Sequence, residues 1–287
     1  MAANDSCDRP GDPCADDCAL LVEALREVAP AAMKWFRAGA KSKVEIWKKG
    51  DGSSVTAADM AVNEALKTRL LAARPGYGWL SEEDDESAAA VRARRGSHRV
   101  FMIDPIDGTR SFIEGSDKFC FSAAVVEDGA PIAGAIYAPA SDTMYEAALG
   151  EGAWRNDERL GAERAPPADP PTILAPRRDE ADSRWRRGAP PMDRSYLQPL
   201  AHRLCVVAAG EKDGLITLKD TNEWDLAAAD LIAREAGLTV TDRTGRPIVY
   251  NKVEPRVAGV LAGPASLHSE WLAHGPDPET QARSETA

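Results

Sequence analysis

The run VFMIDPIDGT at 100–109 constrains the fold more than any other stretch, because four apolar residues lead straight into Asp104, Pro105, Ile106, Asp107 and Gly108. Consecutive apolar residues of this kind read as a buried strand. The acidic, turn-forming residues behind them mark the point where that strand surfaces. Two carboxylates three positions apart at a strand end are either an ordinary solvated turn or half of a metal site. What the rest of the chain brings to them decides which.

The same pattern recurs. Glu82 and Glu83 follow the short strand expected over Tyr77–Ser81. Asp59 sits in the helix expected from TAADMAVNEALKTRLLAA (56–73), with Thr56 placed to cap it. Asp225 opens a further helix, WDLAAADLIAREAG, closed by Gly237. One such carboxylate alone reads as a solvated turn or a favourable charge at a helix start. Four, each beside apolar residues at an element edge, read as a set. Carboxylate oxygens are hard ligands that suit magnesium, and no histidine or cysteine lies in these four segments. Crowded together, they would raise one another's pKa unless cations neutralised them. Gly108 and Thr109 then begin a turn leading into a short helix, SFIEG, whose free backbone N–H groups suit phosphate oxygens.

Strands and helices alternate irregularly along the chain. Leu21, Leu25, Val28, Met33 and Phe36 predict a helix from Cys18 to Phe36, bent or broken near Pro30. SKVEIWKKGDGSS predicts a strand or hairpin arm. Val125–Val126 and Ile132–Ile136 flank the turn Asp128–Gly129, a hairpin signal. TILA, DGLITL, LTVTD and VAGVLAG read as strands and PASLHSEWLA as a last helix, whereas RLCVVAAG fits a core helix or a strand equally. Such a mixture indicates an α/β (α+β) protein of stacked layers. Four segments are expected: a flexible acidic tail (1–18), an N-terminal α+β subdomain with most of the metal ligands (19–156), a C-terminal α/β subdomain that completes the site (157–276), and a second tail (277–287).

A net charge of −11 over 287 residues gives no basic face for a nucleic-acid polymer. It leaves room for a small anionic substrate held through metal. The N-terminus, MAANDSCDRPGDPCADDC, lacks the basic-then-apolar pattern of a secretory signal, and no apolar run is long enough to span a bilayer. A cytoplasmic location without membrane association is expected. Cys7, Cys14 and Cys18 crowd the first residues without a CxxC pair or nearby histidine and read as reduced thiols; Cys120 and Cys205 read as core residues.

DPIDGT at 104–109, SEE at 81–83, VTAAD at 55–59 and WDLAAADLIAREAG at 224–237 together resemble the inositol monophosphatase superfamily, over about residues 19–274. That resemblance implies a layered α/β/α/β/α sandwich and a lithium-sensitive phosphatase using two or three Mg2+ ions. It implies that Glu82, Asp104 and the Ile106 carbonyl hold one ion and that Asp104, Asp107 and Asp225 hold another. Asp59 and Thr109, with Glu82, would direct the attacking water, and Gly108 and Thr109 would grip the phosphate alongside Asp107 and Asp225. Lys48 stands where the family often carries a lysine, and Glu83 is a neighbour rather than a ligand. A homodimer is the common assembly of such proteins.

DPIDGTRSFIEG, IAGAIYAPASDTMYEAALGEGAWRN and TNEWD look closest to the bacterial 3'(2'),5'-bisphosphate nucleotidases of sulfate assimilation. The expected activity is therefore release of the 3'(2')-phosphate from adenosine 3'(2'),5'-bisphosphate. The alternatives are an inositol monophosphatase, a broad sugar phosphatase, or a phosphate-binding scaffold without catalysis. Two features depart from the family pattern: Gln198–Pro199 in place of Gly-Ser, and the Pro/Arg-rich stretch 161–195. Arg177, Arg178, Arg184, Arg186 and Arg187 in that stretch either meet a second phosphate or form a solvated surface, and Trp185 either stacks on a base or packs the excursion down.

Overall fold

The computed structural model describes residues 13–48, 50, 54–84, 87–161 and 164–276. Cys7, the earliest residues and the 277–287 segment lie outside the described residues. Helix α1 (Pro13–Met33) opens the fold. It begins five residues before the expected start at Cys18, because proline is tolerated in a first turn whose N–H groups are unpaired anyway. Cys14 and Cys18 therefore lie in this helix rather than in a flexible tail, and the helix ends at Met33 rather than Phe36. It also runs through Pro30 without breaking, since only the last turn lies beyond that residue. Then come a ribbon of β1 (Ile46–Lys48) and β2 (Ser54–Thr56), and helix α2 (Ala57–Ala73).

The main sheet has seven strands in sequential order: β3 (Gly78–Ser81), β4 (Arg99–Asp107), β5 (Cys120–Glu127), β6 (Ala130–Ala138), β7 (Thr143–Ala148), β8 (Gly152–Arg155) and β9 (Glu158–Arg159). β3 and β4 are parallel, joined through α3 (Ala88–Arg95), and the other pairings are antiparallel. Short helix α4 (Thr109–Glu114) links β4 to β5. Between β5 and β6, Asp128 (φ 49°) and Gly129 (φ 81°) adopt the paired left-handed conformation of a tight hairpin turn.

A second sheet follows, in the order β11-β10-β12-β16-β14. Its strands are β10 (Thr172–Leu174), β11 (Asp193–Ser195), β12 (Gly214–Thr217), β14 (Thr239–Thr241) and β16 (Val260–Gly263). A ribbon of β13 (Thr221–Asn222) and β15 (Arg256–Val257) stands beside it. The helices of this half are α5 (Leu200–Ala208), α6 (Ala227–Glu235) and α7 (Ala265–His274).

Side-chain alternation assigns the layers. Along β4, Phe101 and Ile103 pack with α1 and α2 on one face, while Val100 and Met102 pack with α5 and α6 on the other. The second sheet covers those two helices with Leu174, Leu215 and Val260. On its far face Ile173, Ile216 and Leu261 meet Trp185, Leu267 and Trp271. The result is five layers, α/β/α/β/α. RLCVVAAG is a helix because it lies in the middle layer, where seven of the nine residues of α5 are buried. At one point no side chain fits: a Cβ on Gly134 of β6 would lie 2.9 Å from Ala228 Cα, so α6 rides directly on the strand backbone.

Candidate active site

β4 ends in a bulge against β5, where Asp104 pairs with Ser122 and Asp107 with Cys120. Three steps on one strand are matched by two on the other. In a regular strand, residues three apart point to opposite faces; the extra residue cancels that inversion. Asp104 and Asp107 therefore line one cavity, of about 350 Å³, together with Glu82, Ile106, Gly108, Thr109, Asn222 and Asp225. Lys48 and Ser54 of the ribbon lie at its edge, with Lys48 Nζ donating to Ser54 Oγ at 2.8 Å.

Each acidic group is held by its own local structure. Glu82 follows β3 in a turn pinned to α2: Ser81 Oγ donates to Asn63 Oδ1 (2.7 Å), Asn63 Nδ2 to Asp84 Oδ1 (3.3 Å), and Lys67 Nζ to Asp84 Oδ2 (2.9 Å). Asp225 Oδ2 accepts from Thr221 Oγ1 at 2.9 Å and from the Asn222 N–H at 3.3 Å. Asp107 Oδ2 accepts the Ala201 N–H at the start of α5. Gly108 (φ 94°) turns the chain sharply there, and a Cβ on it would meet Pro199 Cγ at 2.9 Å.

Asp59 lies one step behind the cavity. Its Oδ2 accepts both the N–H (2.8 Å) and the hydroxyl (2.6 Å) of Thr56, closing the cap of α2. Its Oδ1 is left facing Thr109 Oγ1, 3.2 Å away. That hydroxyl also lies 3.1 Å from the Ile106 carbonyl, and having one proton it serves one acceptor at a time. Glu83 is absent from the cavity lining.

Burial and mutual repulsion dominate the electrostatics. Burial first, then the charges of Glu82, Asp107 and Asp225, push Asp104 well above the usual carboxylate range. Asp107 rises to about 8, through burial and Asp225, against the lowering effect of the Ala201 N–H and Arg203. Asp225 rises to about 6 through burial and Glu82, and Asp59 to about 6 through burial, opposed by its Thr56 hydrogen bonds.

Among the described residues, no group of three or more Asp, Glu, His or Cys side chains stands ready-made to hold an ion. The donor set nevertheless fits a hard divalent cation. Asp104 Oδ1 is buried with no hydrogen-bond partner, and the mutual repulsion of the carboxylates is what a cation would relieve.

A second cavity of about 620 Å³ adjoins the first and shares Asp107, Gln198, Asn222 and Asp225 with it. Its balance is basic, with five cations against the carboxylates of Asp107, Asp220 and Asp225. Arg177, Arg178, Arg203, Lys219 and Arg256 line it, with Tyr196 at one side. Of the arginines singled out in the 161–195 stretch, only Arg177 and Arg178 reach this lining. Arg184 lies beside buried Asp179 instead. Trp185 is buried and donates from Nε1 to the Asp179 carbonyl at 2.8 Å, which makes it a packing residue. Arg203, Lys219, Arg256, Tyr196 and Asn222 were not anticipated. The nearest sequence signal is a lone Lys219 in the loop before TNEWD.

The whole stretch from residue 18 to residue 275 matches the model of the inositol monophosphatase family. The chain belongs to the inositol monophosphatase family. Within it, the 3'(2'),5'-bisphosphate nucleotidase CysQ of Escherichia coli O157:H7 is 33% identical over 247 residues, covering 82% of this chain and 94% of that protein. An inositol-1-monophosphatase of Rhizobium meliloti is 30% identical over 246 residues, covering 79% and 85%. Among solved structures, the Thermotoga maritima IMPase superposes with a TM-score of 0.74 at 25% identity, over 95% of this chain and 100% of that one. The protein is a phosphoric monoester hydrolase of this family, with a small phosphorylated substrate. Among the described residues no helix is long and apolar enough to cross a membrane.

Proposed function

We propose that the protein hydrolyses the 3'(2')-phosphate of adenosine 3'(2'),5'-bisphosphate, with magnesium, in two or three ions, as its metal. The pair of adjoining cavities carries this reading. One is acidic and suits a cation-bridged phosphate; the other is basic and suits a second phosphate on the same molecule. An inositol monophosphate has no second anion to place among Arg177, Arg178, Lys219 and Arg256. The nucleotidase relatives support the same choice. The inositol-1-monophosphatase relative is what favours the alternative.

Glu82, Asp104, Asp107, Asp225 and the Ile106 carbonyl would hold the ions, which supply Lewis-acid polarisation of the phosphate and acidify water. The chain's own groups do the rest. Thr109, donating its proton to Asp59 Oδ1, keeps its oxygen lone pairs turned to a water and so aims it at phosphorus. Asp59, titrating near 6, is ionised at neutral pH and serves as the acceptor behind that hydroxyl. Gly108 lets the backbone approach phosphate oxygens closely, and Lys48 faces them from the ribbon. A cytoplasmic role in sulfate assimilation, lithium sensitivity and a homodimeric assembly accompany this reading.

Phosphate release tests it. With Mg2+, adenosine 3',5'-bisphosphate should turn over faster than inositol 1-phosphate, and a chelator should abolish both. Faster turnover of the inositol ester would overturn the substrate assignment.

A further inference from the structure

We propose that Arg94, Asn251 and Glu223 form a strut that sets the separation of Glu82 and Asp225, and so act as positioning residues for the divalent ion. The proposal rests on the reading that the acidic cavity holds such an ion.

The strut starts at Gly78, the first residue of β3, four residues before Glu82. A Cβ on Gly78 of β3 would meet Arg94 Cα at 3.0 Å and the Arg94 carbonyl at 3.1 Å, so the backbone of α3 lies directly on the strand that carries Glu82. The Arg94 side chain is buried and reaches across to the other half of the chain. Its Nη1 donates to Asn251 Oδ1 at 2.6 Å, and its Nη2 donates to the Lys252 carbonyl at 2.8 Å and the Val253 carbonyl at 3.3 Å.

The same loop grips the residue two places before Asp225. The Asn251 N–H donates to Glu223 Oε2 at 2.6 Å, and the Lys252 N–H to Glu223 Oε1 at 3.3 Å. The Lys252 ammonium lies 3.4 Å from that carboxylate, which is fully buried. The Glu223 backbone is fixed as well: its N–H donates to the Pro255 carbonyl at 2.9 Å, and its own carbonyl accepts from Leu226 (3.1 Å) and Ala227 (2.9 Å). An unbroken line of contacts therefore runs from the start of β3, the strand that leads to Glu82, through Arg94, the 251–253 loop and Glu223 to the turn that holds Asp225.

Burying an arginine and a glutamate costs more than burying apolar residues of similar size. What charged, directional hydrogen bonds supply is a fixed distance. Glu82 and Asp225 come from different sheets, and the ion they serve tolerates little error in ligand spacing.

Calorimetric titration with Mg2+ and with Mn2+ tests the strut, comparing the wild type with Arg94→Met, Glu223→Gln and Asn251→Gly. Asn251 has φ 59°, so glycine keeps the backbone while deleting the acceptor for Arg94. The dissociation constant should rise about tenfold in Arg94→Met and Glu223→Gln, and about threefold in Asn251→Gly. The Arg94→Met/Glu223→Gln double variant should be no weaker than the worse single one, because both break the same line. At saturating ion, kcat should recover. A purely structural role would lower Tm and leave the dissociation constants unchanged; that outcome overturns the proposal, and Asn251→Gly alone decides it if Arg94→Met fails to fold. Absence of ion binding by the wild type would instead overturn the metal reading beneath it.

Discussion

Asp107 Oδ2 accepts a hydrogen bond of 2.8 Å from the backbone N–H of Ala201, so the carboxylate that closes β4 also holds the first turn of α5. One oxygen serves the fold and the other is left for the cavity. Asp107→Asn can keep the first contact through its amide oxygen but presents an N–H₂ where a hard cation needs an oxygen. We expect a Tm within a few degrees of wild type and phosphate release reduced by at least about a hundredfold. Thermal unfolding and a phosphate assay on the same preparation check the split.

Asp104 carries the opposite bargain. It is buried, repelled by Glu82, Asp107 and Asp225, and one of its oxygens has no hydrogen-bond partner. Asp104→Asn removes a buried like charge, so the metal-free protein should melt higher, by about 2–4 °C for roughly 1 kcal/mol in a chain of this size. Its activity should be lost. Scanning calorimetry in chelator reads the first effect, and a lower Tm would contradict the account of repulsion.

The raised carboxylates also set a pH dependence. Asp107 titrates near 8, Asp225 and Asp59 near 6, and each starts from 3.8. The folded state thus holds its protons to higher pH than the unfolded one. The stability these groups contribute is complete below about pH 4 and is lost as pH rises through 6 to 8. In chelator, the fall of Tm between pH 5 and pH 9 should be shallower for Asp107→Asn than for wild type. Protons compete with the cation for the same oxygens, so Mg2+ should bind more tightly at pH 8.5 than at pH 6, with proton release visible as a buffer-dependent heat.

Arg177 and Arg178 line the basic cavity and not the acidic one. Replacing both with glutamine should raise KM for adenosine 3',5'-bisphosphate about tenfold or more, as charge-assisted contacts to phosphate are lost. Hydrolysis of a monophosphate that never reaches that cavity should change little. Equal losses on both substrates would remove the second-phosphate assignment.

Thr109 tests the water-directing pair. Thr109→Val keeps shape and deletes the hydroxyl that faces Asp59. A loss of about a hundredfold or more in kcat, with little change in KM, is expected; Thr109→Ser should restore most of it.

Much of the fold and of the site is legible in the sequence. Consecutive apolar residues marked β4, and Thr56 marked the start of α2, because burial and capping leave local signatures. The bulge between Asp104 and Asp107 left none, since it depends on pairing with β5. The basic cavity was half visible. Arg177 and Arg178 stand in an arginine-rich run, but Arg203 hides in the apolar helix α5, and Lys219 and Arg256 stand alone in short segments. Those three share one wall because the loop after β12 and the β13–β15 ribbon come against α5 in the fold. Trp185 resisted reading for a related reason: its partner, the Asp179 carbonyl, belongs to a turn whose position depends on that sheet.

The cap on α2 has a consequence for how such a protein ages in evolution. The carboxylate proposed to stand behind the water-directing hydroxyl is the same group that starts a core helix. A lineage that no longer needed the chemistry would still be penalised for discarding Asp59. Selection for folding alone would keep that residue in place, so the earliest losses in a decaying copy should appear at Thr109 or Asp104, where foldedness asks for less.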